Sequence, residues 1–203
     1  MVRRTWPACI SGTAAGAAAA GVAEAVVLAA AALRGGGKVN YARLARHLAT
    51  SQRTIKKHFP ETCLAEIKQA IIDSERTHRG QIQVAIEPAL QPSQLWRNMS
   101  ARERALELFA SMHVWDTAEN SGVLIYVLFA DRSIEIVADR GVCARVAGDT
   151  WQGTADTMRI HFASGRYAQG ILAGIAAVSG ELRALLPACG GGLDELPNDV
   201  TLL

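Results

Sequence analysis

The sequence lacks the clustered cysteines that a zinc site or a disulfide framework needs. Its four cysteines, at positions 9, 63, 143 and 189, are far apart, and none belongs to a CxxC pair. Structural zinc sites and small disulfide-stapled domains both depend on closely spaced ligands or cysteines. We therefore interpret the cysteines as reduced thiols, which argues against a disulfide-rich secreted scaffold.

The sequence also lacks the common catalytic and nucleotide-binding motifs. It has no GxSxG, no GxxxxGK[ST] and no GxGxxG, and its histidines show no HxH or HxxxH spacing. Such motifs place a nucleophile, a phosphate cradle or metal ligands at fixed geometry. The residues therefore identify no catalytic side chain. The five histidines are interpreted as surface or cap residues: His47, His58, His78, His113 and His161.

Acidic residues are missing from one short stretch. Residues 38–58 contain six lysines and arginines and no acid, although the formal net charge of the whole chain is only +2. The remainder after residue 58 is net acidic, and a nucleic-acid binder would more often carry a basic face across its fold. We expect no nucleic acid partner. The segment is either a solvated basic face or a contact for an anionic membrane surface or an acidic protein.

The ends of the chain differ in composition from its middle. Residues 1–38 are rich in alanine and glycine, and Glu24 interrupts the apolar run that follows Arg3 and Arg4. An acid at that position disfavours an export signal. We predict a disordered extension over 1–38, a basic helical segment over 39–59, one domain over 60–187 and a disordered tail over 188–203. The expected location is the cytoplasm, with membrane association as an alternative.

Hydrophobic periodicity in the middle of the chain predicts alternating helices and strands. Residues 81–87 alternate between apolar and polar or small side chains as in a strand, and residues 122–130 form an almost wholly apolar run typical of a buried central strand. A capping box at Ser100 and Glu103 opens a helix between these two strands. A hairpin partner over 134–139 and a short strand over 142–146 follow. The pattern predicts an α/β fold, a three-layer α/β/α sandwich around a small mixed sheet.

Several motifs in order carry a family resemblance. They are Asn120-Ser-Gly-Val-Leu-Ile-Tyr126, the stretch from Ala130 to Gly141, Trp151, and Phe162 through the Gly170-Ile-Leu-Ala-Gly-Ile175 helix. Over residues 60–187 the chain resembles the TPM domain family of the Psb32 and MOLO-1 type, as a short bacterial-type member. The resemblance implies an α/β/α sandwich and a protein-interaction module in membrane-protein maintenance or quality control. The alternative that it implies is a divalent-metal-dependent phosphatase, so whether the chain is an enzyme stays open.

Polar residues cluster around the predicted hairpin. Asp116, Glu119, Asn120 and Asp139 offer oxygen atoms suited to Ca²⁺ or Mg²⁺, and Arg140 is the candidate phosphate-binding residue. The alternative interpretation gives the acidic and amide side chains ordinary turn roles. A separate expectation is that Glu135, on the strand face opposite Ile134 and Ile136, pairs with an arginine such as Arg104 or Arg145.

Overall fold

The structure is a computed structural model, and it describes residues 40–188 and 195–203. The predicted N-terminal extension over 1–38 lies outside the described residues. The helices are α1 Tyr41–Ala49, α2 Gln52–His58, α3 Glu61–Glu75, α4 Pro92–Trp96, α5 Ala101–Ser111, α6 Arg140–Cys143, α7 Gly148–Ala163 and α8 Tyr167–Leu185. The strands are β1 Gln81–Glu87, β2 Gly122–Leu128, β3 Ser133–Ala138 and β4 Thr201–Leu202.

The four strands form one mixed sheet in the order β3-β2-β1-β4. β1 and β2 run parallel over seven residue pairs, from Gln81 opposite Gly122 to Glu87 opposite Leu128. β3 pairs antiparallel with β2 as a hairpin, and β4 runs parallel to β1. Every residue of β1 and β2 is buried, as expected for strands that are covered on both faces.

Helices cover both faces of the sheet. On one face, Val84 and Ile125 pack with side chains of α2, α3, α7 and α8. On the other face, Ala85 and Leu124 pack with side chains of α4 and α5. The alternation of side chains along each strand divides the core into these two layers. The predicted three-layer α/β/α sandwich around a mixed sheet is confirmed.

The outer edge of β3 is occupied by arginine side chains. Nη1 of Arg102, on α5, donates to the carbonyl of Ile136 over 2.7 Å. Nη2 of Arg159, on α7, donates to the carbonyl of Ile134 over 3.0 Å. Two carbonyl groups of this edge strand are therefore hydrogen-bonded by side chains that reach it from opposite faces of the sheet.

Two expectations about local structure are wrong. Residues 142–146 do not extend the sheet, because Asp139 accepts the N–H of Arg140 and caps the short helix α6. The tail is not wholly disordered, since Thr201 and Leu202 pair with Ala85 and Ile86 of β1. Among the described helices, none has both the length and the apolar character that crossing a membrane requires.

We expect Val127→Asp to lower the free energy of unfolding by about 3 kcal/mol or more, because Val127 is fully buried and the new carboxylate would have no partner. Leu106→Asp is the matched control, since Leu106 is 47% exposed on α5. Urea denaturation of the two variants and the wild type measures the difference. Equal stability of the Val127→Asp variant and the wild type would contradict the central position of β2.

Candidate functional site

The loop before β2 and the turn after β3 meet, as the hairpin predicts. Nε of Arg140 donates to Oδ1 of Asn120 over 2.9 Å, and the N–H of Gly141 donates to the carbonyl of Asn120 over 3.1 Å. A Cβ atom on Gly141 would lie 2.6 Å from the carbonyl oxygens of Glu119 and Asn120. Only glycine permits this close approach of the two backbones.

Asp139 is the buried member of this group, with 8% exposure. Its Oδ1 accepts the backbone N–H of Arg140 over 2.7 Å. Its Oδ2 is buried and has no hydrogen-bond partner. Buried carboxylate oxygens are normally hydrogen-bonded, so Oδ2 of Asp139 is a buried oxygen with unused capacity to accept a hydrogen bond or to bind a cation.

The remaining predicted ligands do not converge on Asp139. Glu119 forms an ion pair with Arg79, and Asp116 is exposed. Within the described ranges no group of three or more His, Cys, Asp or Glu side chains could hold a metal ion. The structure thus brings Asn120, Asp139 and Arg140 together, and Arg140 is engaged by Asn120.

A second polar cluster, which the sequence interpretation missed, surrounds Asp131 in the β2–β3 turn. Arg43 on α1 binds its carboxylate through Nε at 2.9 Å and Nη2 at 2.7 Å, and Nε2 of His47 lies 3.0 Å from Oδ1. Nδ1 of His47 accepts the N–H of Leu90 over 2.9 Å, so a ring proton lies on Nε2, facing Asp131. Together these contacts fix α1 to the ends of β1 and β2.

The burial of two histidines corrects one earlier interpretation. His47 and His78 are buried, with 3% and 1% exposure, so describing all five histidines as surface or cap residues is wrong. Burial by itself would raise the pKa of Asp131, but interactions with His47 and Arg43 outweigh it and hold that pKa well below its ordinary value. The lack of acids in residues 38–58 was the available signal, because any ion pair that this segment forms must use a carboxylate from another part of the chain.

A third polar group lies inside the core between β1, β2 and α5. Arg104 binds both carboxylate oxygens of Glu87, through Nε at 3.0 Å and Nη2 at 3.1 Å, and the hydroxyl of Tyr126 donates to Glu87 over 2.6 Å. Burial, followed by the charge of Glu87, raises the pKa of Tyr126. The expectation that Glu135 pairs with an arginine is confirmed, but the partner is neither Arg104, which binds Glu87, nor Arg145.

Glu135 instead faces a different arginine. Its Oε2 lies 4.0 Å from Nη1 of Arg102, and the two side chains are 24% and 51% exposed. An ion pair this exposed contributes little to stability. Nothing in its surroundings indicates a catalytic role.

A mixed sheet between two layers of helices defines an α/β/α sandwich protein. At one end of its hairpin, polar residues of the loop before β2 lie against those of the turn after β3. Residues 58–181 match the TPM domain family, which is more than half of the chain. The chain belongs to the TPM domain family.

Among solved structures, the chain is similar to the NMR structure of the BA42 protein from the psychrophilic bacterium Bizionia argentinensis. The two share 28% sequence identity with a TM-score of 0.64, over 71% of this chain and 94% of the other. No curated protein sequence matches the chain. The family resemblance is thereby confirmed at the level of the TPM domain, while the Psb32 and MOLO-1 type stays a prediction.

We expect Asp131→Asn to lower the free energy of unfolding by about 2 kcal/mol near neutral pH, because the charged partner of Arg43 is lost. A carboxyl whose folded pKa is depressed stabilises the fold above its ordinary pKa of 3.8, and that contribution is lost as the pH falls below it. The stability gap between the wild type and Asp131→Asn should therefore shrink between about pH 5 and pH 2.

Thermal melts across this pH range measure the gap. Asp73→Asn is the control, since Asp73 pairs with Arg76 at the surface, where its side chain is 56% exposed. A gap that does not change with pH would mean that the charge of Asp131 does not hold α1 in place.

Proposed function

We propose that this protein is an interaction module of the TPM family that binds protein partners in membrane-protein maintenance or quality control, without catalysis of its own. One observation carries this proposal: two of the side chains predicted for chemistry are paired with other side chains of the fold. Arg140, the candidate phosphate-binding residue, is paired with Asn120, and Glu119 is paired with Arg79. An anion at Arg140 could use only its two Nη groups, since Nε is bound to Asn120.

Exposed apolar side chains support the same proposal. Trp96 is 58% exposed, Trp115 is 48% exposed and Ile160 is 57% exposed. Large aromatic side chains at a surface are typical anchors of protein–protein contacts, where they fill a pocket of the partner. Their exposure suits a protein that acts by binding.

The basic segment supplies a second contact within the same proposal. Arg43 and Arg46 both pair with Asp131, whereas Arg53, Lys56 and Lys57 are exposed on α2. Each such cation contributes about 1 kcal/mol to binding at an anionic membrane surface. The proposal places the protein in the cytoplasm, close to that surface.

We expect sedimentation with phosphatidylserine-containing vesicles to be salt-sensitive and about five-fold weaker for Lys57→Glu than for the wild type. Arg145→Glu makes the same charge change at an exposed site outside the basic segment and is the matched control. Neutral phosphatidylcholine vesicles should bind neither variant. Equal loss of binding in both variants would indicate attraction by overall charge, which removes the basic segment from the proposal.

The competing function is a divalent-metal-dependent phosphatase, and one specific observation favours it. Oδ2 of Asp139 is buried without a hydrogen-bond partner, and the carbonyl oxygens of Glu119 and Asn120 approach the same turn. Carboxylate and carbonyl oxygens are the ligands that Ca²⁺ and Mg²⁺ prefer. The resemblance to the TPM domain family also implies a phosphatase as the alternative function. These residues fit a cation in part, since Glu119 offers its carbonyl while its carboxylate is paired.

Asp139→Asn separates the two functions. The asparagine keeps an oxygen for the N–H of Arg140, so α6 stays capped, but the charge that a cation needs is removed. We expect calorimetric titration with Ca²⁺ and Mg²⁺, and hydrolysis of p-nitrophenyl phosphate, to be the same for the wild type and for Asp139→Asn. Ion binding and ion-dependent hydrolysis that both disappear in Asp139→Asn would establish the phosphatase instead.

A further inference from the structure

The free edge of β1 is covered by the C-terminal segment, residues 195–203. Only two residue pairs join this segment to β1 as a strand, Ala85 with Thr201 and Ile86 with Leu202. One further backbone hydrogen bond, from the N–H of Leu203 to the carbonyl of Ile86, measures 3.1 Å. The first half of the strand edge is therefore not closed by a backbone ladder.

Two buried glutamines of β1 hold the rest of the segment. Oε1 of Gln81 accepts the N–H groups of Glu195 and Leu196 over 3.0 and 3.1 Å. Nε2 of Gln83 donates to the carbonyl of Asp199 over 3.0 Å. The two glutamines are 3% and 1% exposed. Their side-chain amides bind the backbone of the segment, and Nε2 of Gln83 also donates to Oγ1 of Thr201 over 3.3 Å, so they hold the segment in an extended conformation.

Side chains of residues 195–203 contribute apolar packing and contacts of acidic groups. Leu196 packs on one face of the sheet with the α5 layer, whereas Val200 and Leu202 pack on the other face. The carboxylate of Asp199 lies 2.7 Å from Nζ of Lys68. Glu195 accepts the N–H of Ala118 over 2.9 Å. The edge thus suits an extended segment that combines branched apolar residues with acidic ones.

We propose that the edge of β1 is a binding site for an extended, acidic and apolar segment of a partner protein, and that residues 195–203 occupy it as an intramolecular competitor. An added strand obtains its affinity from main-chain hydrogen bonds and its specificity from alternate side chains, which are the two kinds of contact found here. This inference rests on the proposed function as an interaction module, and it identifies the edge of β1 as the surface that binds the partner.

The short ladder makes the exchange energetically accessible. A tethered segment competes at an effective concentration of about millimolar, so a free segment binds strongly only when the tethered one is weakened. The apparent affinity for a partner scales with the fraction of molecules whose edge is open. Changes within residues 195–203 should therefore tune partner binding without any change in β1.

The test uses the full-length chain and a fluorescein-labelled peptide with the sequence of residues 195–203. Leu202→Asp removes the apolar contact that holds the tethered segment, so this variant should bind the peptide at least ten-fold more tightly than the wild type in fluorescence polarisation. Leu106→Asp is the matched control, because it makes the same change at a site on α5 that is 47% exposed and outside the edge of β1, and it should behave as the wild type. A scrambled peptide should bind at least ten-fold more weakly.

A second variant tests the proposal in case Leu202→Asp does not fold. Asp199→Lys places a positive charge next to Lys68 at a site that is 71% exposed, so it weakens the tethered segment without entering the core. It should also strengthen peptide binding, and adding Gln83→Leu to it should abolish the gain. Circular dichroism melts verify that each variant is folded.

Three results would overturn the proposal. They are no peptide binding by a folded Leu202→Asp or Asp199→Lys chain, equal binding of the scrambled peptide, and reciprocal exchange of the segment between two copies of the chain, detected as a dimer by light scattering. None of these three results contradicts the proposed function, because a partner can bind through another surface. Conversely, ion-dependent hydrolysis would end the non-enzymatic proposal and leave the peptide result unchanged.

Discussion

The parallel pairing of β1 with β2 is the constraint on which the rest of this fold depends. Seven residue pairs are buried on both faces, so each face requires its own layer of helices. A parallel pair also requires a crossover, which α5 provides between the two strands. The same burial explains why Glu87, at the end of β1, needs Arg104 and Tyr126 as partners, because an unpaired buried carboxylate would be costly.

The sequence was most informative where the pattern is local. The buried run over 122–130, the alternation over 81–87 and the capping box at Ser100 each predicted the correct element, because periodicity and caps depend only on neighbouring residues. The prediction of a short strand over residues 142–146 was wrong, and the reason is also local. An aspartate before Arg140 caps a helix as readily as it ends a strand.

Contacts between residues that are far apart in the chain could not be predicted from the sequence. Arg43 and Asp131 are 88 positions apart, and no local sequence pattern links the two. The same holds for the pairing of Thr201 with Ala85, since a segment of mixed polar and apolar residues has no strong preference of its own and takes its structure from the edge that it meets. Within the candidate site, the hairpin correctly placed Asn120 beside Arg140, but the hairpin alone could not indicate that Arg79 takes Glu119.

The arginines at the outer edge of β3 have a consequence for how the protein behaves at high concentration. An unpaired edge strand is a template on which another chain can add, and this is how many sheets begin to aggregate. Here Arg102 and Arg159 hydrogen-bond the carbonyls of Ile136 and Ile134 and place positive charge along the strand. A second molecule would have to displace both guanidinium groups before it could add a strand, so one side of the sheet is protected against fibril-like growth. The two edges are therefore unequal, and self-association through strands is directed away from β3.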